Sequence, residues 1–212
     1  GPHHPNYHIL SKNTSHPTSP REGHQRHAVE RLKRWESLEY GMFLHFGMST
    51  FDGLEHSPGD RPPATYAPSA LDVDQWVRTA RDAGMRYAVL TTKHVAGFCL
   101  WPSEHTDYHV GNSANTTDVV GEFVNACERH GIKPGFYYCS FDNHNRFGSE
   151  TPSHTQLAYT TEEYRQFQLA QIEELLTRYG RIEEVWIDIP RLLGRDGRVR
   201  QYEQIARLQP EA

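Results

Sequence analysis

The sequence predicts an α/β fold of the parallel (β/α) barrel type, with about four βα units, which is half of a TIM-like barrel. Strand-like and helix-like runs alternate four times, with one unit roughly every 45 residues. The strand-like runs are apolar throughout instead of alternating, as in a parallel sheet that is covered on both faces. No glycine-rich phosphate loop follows the first strand, which favours a barrel over a doubly wound sheet.

Four strands and four helices follow one another along the chain. Short apolar runs predict strands over residues 41–46, 86–92, 134–139 and 184–188. Helices are predicted over residues 69–83, 117–130, 160–180 and 198–208. Ser69 is the predicted cap of the first helix, and Thr160 with Glu163 forms a capping box at the third. Gly131 ends the second helix.

The first 27 residues differ in composition from the rest of the chain. They have no apolar period and are rich in His, Pro, Ser and Asn, so we expect a flexible tail over residues 1–27 and a half-barrel domain over residues 28–212. The opening Gly1-Pro2 pair is typical of a protease scar, and a native leader could have been removed. We expect a soluble protein of the bacterial cytoplasm, or of the periplasm or medium if a leader was removed.

Charge and hydropathy exclude two classes of function. Lys plus Arg number 22 and Asp plus Glu number 27, and this net charge of −5 rules out a basic nucleic-acid footprint. No apolar run approaches the roughly 20 residues that a membrane span needs. Cys99, Cys127 and Cys139 lack metal-ligand spacing, and we expect three buried thiols rather than one disulfide with a free thiol.

Polar side chains stand at the carboxyl ends of the predicted strands. These residues are His45, His94, Ser140 and Asp188. In a parallel barrel the carboxyl ends of the strands meet at one rim, and that rim carries the functional residues. A plain structural role stays open for each, because an aspartate after a strand can cap a helix and a lone histidine can be a satisfied core residue.

Five segments of the chain resemble one enzyme family. In chain order they are Gly41-Met-Phe-Leu-His-Phe-Gly47, Asp82-Ala-Gly-Met-Arg-Tyr-Ala-Val-Leu-Thr-Thr-Lys-His94, Gly97-Phe-Cys-Leu-Trp101, Gly135-Phe-Tyr-Tyr138 and Val185-Trp-Ile-Asp188. Together, from Arg31 to the C-terminus, they resemble the first half of the catalytic barrel of the family 29 glycoside hydrolases, the α-L-fucosidases.

This resemblance implies a role for each matched residue. Asp188 matches the catalytic nucleophile, and His45 and His94 match imidazoles that hydrogen-bond sugar hydroxyls. Tyr137 matches a sugar-contacting tyrosine, whereas strand alternation turns Tyr138 toward the helix layer. Aromatic surface for the methyl and C–H face of the sugar is expected from two further residues, Trp101 and Tyr66.

The chain departs from the family pattern at two strand ends. Lys93-His94-Val95-Ala96-Gly97-Phe98 stands where the family usually has Lys-His-His-Asp-Gly-Phe, so a second imidazole and a carboxylate are absent. His45-Phe46-Gly47 stands where the family usually has His-Trp-Gly. We expect the first departure to remove one sugar contact and the second to matter less.

The resemblance implies a retaining hydrolase that cleaves terminal α-L-fucose from glycans or glycosides, with transfer of fucose to acceptor alcohols as a side activity. A retaining mechanism needs two carboxyls about 5–5.5 Å apart and no metal or organic cofactor. The family's general acid/base normally lies beyond the nucleophile. Candidates for it within this chain are Glu55, Asp52 and Asp142.

Four βα units cannot close an eight-stranded barrel, and an open half-barrel exposes an apolar inner face and two strand edges. We therefore expect a homo-oligomer in which a neighbouring subunit covers the opening and contributes the acid/base. Two alternatives stay open: a non-catalytic half-barrel that binds fucose or another carbohydrate, and a fragment that needs a different partner chain. Neither nucleic acid nor a membrane is an expected partner.

Overall fold

The computed structural model describes residues 7–10, 41–54, 57–145, 161–188 and 194–210, with the backbone alone for residues 7–10 and 194–198. Its single sheet has five strands: β1 (Tyr7–Leu10), β2 (Gly41–Leu44), β3 (Tyr87–Lys93), β4 (Lys133–Cys139) and β5 (Glu184–Asp188). All neighbouring strands are parallel, and their spatial order is β1-β5-β4-β3-β2. The four predicted strands are thus adjacent in chain order, which confirms a parallel α/β architecture of the barrel type.

Within the described residues, five helices connect or follow these strands: α1 (Met48–Asp52), α2 (Val73–Asp82), α3 (Val119–His130), α4 (Glu162–Arg178) and α5 (Gly194–Leu208). Two single 3₁₀ turns, Pro63–Thr65 and Val110–Asn112, lie in the loops. Helix α1 was not predicted, because five residues are too few to show a helical period. Within the described part of the chain, no helix combines the length and the apolar character that crossing a bilayer requires.

The helix caps differ from the predicted ones at two positions. Helix α2 begins after Asp72, whose carboxylate accepts from the Gln75 backbone N–H, and not after Ser69. Aspartate at this position leaves residues 69–72 outside the helix. Helix α4 is capped by Thr161, which accepts from the Tyr164 N–H; the predicted cap Thr160 lies outside the described residues. Gly131, with φ of +65°, ends α3 as predicted.

Strand β1 lies inside the segment predicted to be a tail. Residues 7–10 read Tyr-His-Ile-Leu, and they pair with β5 from Tyr7 opposite Val185 to Leu10 opposite Asp188. The outer edge of β5 offers unpaired backbone groups, and an extended segment of aromatic and branched residues can satisfy them. Composition alone did not predict this pairing. The other residues of the predicted tail lie outside the described part of the chain.

The two faces of the sheet are packed differently. On one face, Leu90, Phe136, Tyr138 and Ile187 are buried with the apolar sides of the helices. This confirms that Tyr138 faces the helix layer. The opposite face, called the open face here, carries the aromatic side chains Phe43, Tyr87, Tyr137 and Trp186, with Val89 between them. Phe43 is 48% exposed there, whereas Val89 and Tyr137 are buried.

All three cysteines are buried, and none forms a disulfide. Cys99 and Cys127 belong to the main core, and Cys139 lies on the open face near Tyr137. Burial is the largest factor acting on the thiol of Cys139 and raises its pKa to about 12, so this side chain stays protonated at neutral pH. The prediction of three buried thiols is therefore confirmed.

The N-terminal cap of α3 also connects α3 to the end of α4, and the contribution of this connection to stability can be tested. The Asp118 carboxylate accepts from the Gly121 N–H at 3.0 Å and from the Tyr179 hydroxyl at 2.7 Å. We expect Asp118→Ala to lower the free energy of unfolding by about 1–2 kcal/mol, because a cap bond and a link to the end of α4 are lost together.

The matched control is Asp72→Ala, which removes a cap bond of the same kind from α2 without a tyrosine partner. Urea unfolding of both variants measures the difference. A smaller loss for Asp118→Ala than for Asp72→Ala would contradict this role of the Tyr179 contact.

Candidate functional site

Asp188 is the last residue of β5 and lies on the open face at the carboxyl edge of the sheet. Its side chain is 7% exposed, and Oδ2 accepts a short hydrogen bond from the hydroxyl of Tyr137 on β4. Backbone pairing places the side chains of Tyr137 and Asp188 next to each other, since Cys139 pairs with Asp188 and the Ser140 N–H donates to the Asp188 carbonyl at 3.0 Å. Because the Tyr137 hydroxyl binds Oδ2, the second oxygen of this buried carboxylate, Oδ1, is available to react.

Two imidazoles continue the row from Tyr137 across the sheet. The ring centroids of His94 and Tyr137 are 6.0 Å apart, and those of His94 and His45 are 4.6 Å apart. His94 is half-buried after β3, and His45 is exposed after β2. The structure therefore brings together four of the predicted site residues, one from each predicted strand or the loop that directly follows it, in a row along one edge.

Burial keeps the hydroxyl of Tyr137 protonated. Desolvation is the largest cause that raises its pKa well above the ordinary value, and the neighbouring Cys139 and Asp188 raise it further. The hydroxyl therefore remains a hydrogen-bond donor to Asp188 throughout the neutral range. A protonated donor of this kind stabilises a buried carboxylate without neutralising it.

Thr91 holds the end of β2 in place beside the row. Its hydroxyl lies 3.1 Å from the backbone nitrogen of Phe46, from which it accepts, and it is also within donating distance of the Leu44 and Phe46 carbonyls. His45 lies between these two residues, so the Thr91 contacts fix the backbone that carries it. This role was not predictable from the sequence, because a threonine within an apolar strand gives no signal of its partner.

Phe43 supplies the aromatic surface beside Tyr137. The two rings meet edge to face with centroids 5.7 Å apart, and Phe43 is the more exposed of the two. Strand alternation places Phe43 on the same face as His45, and this signal in the sequence could have identified it.

The structure does not bring Trp101 or Tyr66 to this row. Trp101 is fully buried, and its indole N–H donates to Glu174 on α4 at 3.3 Å. Tyr66 is also fully buried and packs against the ring of Phe98, with centroids 4.9 Å apart. Both sit in the core on the helix side of the sheet. In this arrangement neither ring can offer a face to a sugar, and the prediction for these two residues is corrected accordingly.

The three acid/base candidates have different outcomes. Asp142 is fully buried and forms an ion pair with Lys93, so it has no exposed oxygen to deliver a proton. Asp52 accepts from the Leu54 N–H at 2.9 Å and from the Ser57 hydroxyl, so its carboxylate holds its own loop. Glu55 lies outside the described residues. Asp142 is thereby removed as a candidate, because a proton donor must reach the solvent-facing side of the site.

A small cavity opens beside His94. It is lined by Phe46, Gly47, Met48, Ser49, Ser57, Thr91, His94, Ala96 and Phe98. Asp188 and His45 are not among these residues, so the cavity adjoins the middle of the row at His94 and does not enclose the carboxylate. Within the described ranges, no three His, Cys, Asp or Glu side chains are grouped as a metal site would require.

Comparison with known proteins gives the same family from sequence and from structure. The alpha-L-fucosidase family model matches residues 60–207. Alpha-L-fucosidase 1 of Arabidopsis thaliana is 42% identical over 158 residues, which is 73% of this chain and 29% of the plant protein. The chain thus spans about three tenths of the length of this curated relative.

Two solved structures share the fold. A glycoside hydrolase 29 family member from an unknown rumen bacterium is 32% identical with a TM-score of 0.74, over 85% of this chain and 34% of the other. Alpha-L-fucosidase isoenzyme 1 from Paenibacillus thiaminolyticus is 28% identical with a TM-score of 0.71, over 87% of this chain and 50% of the other. The chain therefore belongs to the alpha-L-fucosidase family, family 29 of the glycoside hydrolases.

Proposed function

We propose that this chain carries the nucleophile half of a retaining α-L-fucosidase site, which cleaves terminal α-L-fucose from glycans or glycosides. The observation that supports this most directly is the row formed by His45, His94, Tyr137 and Asp188 at the carboxyl edge of the sheet. Membership of the family supports the substrate class. Because the chain spans only part of its relatives, the activity itself is a proposal.

In the proposed reaction, Asp188 is the nucleophile. Tyr137 holds Oδ2, and the free oxygen Oδ1 forms a bond to the anomeric carbon while the bond from that carbon to the glycosidic oxygen breaks. The departing alcohol takes a proton from a general acid. Water then attacks the same carbon, gives its proton to the conjugate base and releases Asp188, so two inversions retain the configuration. An acceptor alcohol in place of water would give transfucosylation.

The two imidazoles and Phe43 orient the sugar in this proposal. A neutral imidazole has one donor and one acceptor, which suits neighbouring hydroxyl groups, and the adjacent rings of His45 and His94 offer two such pairs. The exposed ring of Phe43 would contact the apolar side of the deoxyhexose, which includes its methyl group. The missing second imidazole, Val95 in this chain, would leave one hydroxyl without a partner.

We propose that the general acid/base comes from a neighbouring copy of the chain. Of the candidates in this chain, Asp142 is buried in an ion pair and Asp52 holds its loop. A neighbouring copy of the chain could supply the missing carboxyl if it covered the open face. The exposed ring of Phe43 and the outer edge of β2, which ends the sheet, support such a homo-oligomer.

Removing the nucleophile is the direct test of the function. We expect hydrolysis of 4-nitrophenyl α-L-fucoside to fall by about 10³-fold or more in Asp188→Gly, because the covalent step is lost. This substrate has a good leaving group, so it needs little help from the acid. Added azide should restore release of 4-nitrophenol and give β-L-fucosyl azide, since the small anion enters where the carboxylate was.

The matched control is Asp82→Gly, which replaces an exposed aspartate on α2 and should leave the rate unchanged. Equal rates for the native protein and Asp188→Gly would contradict the assignment of Asp188. Binding of L-fucose without any hydrolysis would favour the alternative, a non-catalytic carbohydrate-binding half-barrel.

The proposed oligomer has its own measurement. Size-exclusion chromatography with light scattering should give a mass that is a multiple of 24.4 kDa. Phe43→Ser should shift the distribution toward monomer, because it removes exposed apolar surface from the open face. A well-folded species of 24.4 kDa at all concentrations would contradict the homo-oligomer. Activity that appears only after a different protein is added would favour the hetero-partner alternative.

A further inference from the structure

The helix side of the sheet contains a buried ion pair that the proposed reaction does not use. Lys93 Nζ lies 2.9 Å from Asp142 Oδ2, and both side chains are fully buried. Lys93 also donates to the Tyr138 hydroxyl at 3.0 Å. The other oxygen of Asp142 accepts from the backbone N–H of Asn145 at 2.8 Å. Both charges are therefore compensated.

Charge compensation keeps Lys93 ionised despite its burial. Burial is the largest single effect on Lys93 and lowers its pKa, but the neighbouring groups, with the Asp142 carboxylate foremost, together raise the pKa above its ordinary value. The cost of removing both charges from water largely offsets their attraction, so buried pairs of this kind add little net stability. Replacing both partners by apolar residues is often neutral for stability. A role other than stabilisation is needed to explain the pair.

The pair is located where two functional loops meet. Lys93 ends β3 and precedes His94, whereas Asp142 lies three residues after the end of β4. The backbones of the two loops are joined beside the pair, since the Asn143 N–H donates to the Val95 carbonyl at 2.8 Å. Gly97 approaches so closely that a Cβ atom there would lie 2.1 Å from Asp142 Oδ1, and its φ of +88° excludes most other residues.

A register shift in β3 links the pair to His94. Thr91 pairs with Tyr137 and Lys93 pairs with Tyr138, so β3 has one extra residue, Thr92, between the partners of two residues that are adjacent on β4. The extra residue turns Lys93 to the helix side, where it meets Tyr138 and Asp142. It also lets the next residue, His94, approach the ring of Tyr137 on the open face.

We propose that the Lys93–Asp142 ion pair is a positioning device: it fixes the irregularity at the end of β3 so that His94 stands between His45 and Tyr137 in the sugar-binding row. Lys93 and Asp142 are positioning residues in this account and touch no substrate. The sugar in this inference comes from the proposed function on which it rests, but the position of His94 between His45 and Tyr137 can be measured without any sugar.

Removing both charges together tests the position of His94 separately from the stability of the fold. In Lys93→Met/Asp142→Leu we expect a melting temperature close to the native one and affinity for L-fucose, measured by calorimetry, that is weaker by about tenfold or more. Nuclear Overhauser contacts between the ring protons of His94 and those of His45 should also weaken. Lys93→Arg, which keeps a charge opposite Asp142, should recover part of the affinity.

The matched control is Val77→Ala, which removes methyl groups from a fully buried side chain of α2. It should lower the melting temperature and leave both the affinity and the ring contacts of His94 unchanged. Native ring contacts in the double variant would overturn the inference, and so would a double variant that cannot fold. If the native protein neither binds L-fucose nor cleaves fucosides, the proposed function fails, and the ring contacts still decide whether the pair positions His94.

Discussion

The parallel register between β4 and β5 is the constraint on which the candidate site depends. Cys139 pairs with Asp188, and Tyr137 lies two residues before Cys139 on the same face of the sheet. This pairing allows the Tyr137 hydroxyl to donate to the Asp188 carboxylate. A shift of β5 by one residue would turn Asp188 toward the helices, where Ile187 now lies. The chemistry of the row therefore depends on backbone pairing that ordinary apolar side chains maintain.

The two faces of the sheet have different roles. The helix side is filled by a continuous core and by polar groups with partners, among them the Lys93–Asp142 pair and Tyr138. The open face exposes Phe43 and carries the row of polar side chains. In the proposal, the helix side sets the geometry of the loops, and a second copy of the chain covers the open face.

The strands were predictable because apolar runs are local patterns, and four such runs predicted β2 to β5. Polar residues at the strand ends predicted the positions of His45, His94 and Asp188, whereas Tyr137 was expected only from the family resemblance. Features that depend on distant partners were not predictable in this way. Trp101 was expected to contact the sugar, yet its ring is buried and its indole N–H donates to Glu174, 73 residues further along the chain. Asp142 was a candidate proton donor, yet it is buried in an ion pair with Lys93 at the end of β3. Strand β1 depends on the open edge of β5.

The most direct measurement of the central claim is to trap the proposed covalent intermediate. The reagent 2-deoxy-2-fluoro-α-L-fucosyl fluoride has a leaving group that needs little acid assistance, and its fluorine at C2 slows the hydrolysis of the ester formed with the nucleophile. Peptide mass spectrometry of the treated protein should locate the fluorofucosyl group on Asp188. Labelling of another carboxylate, or no labelling of a protein that still hydrolyses aryl fucosides, would contradict the account.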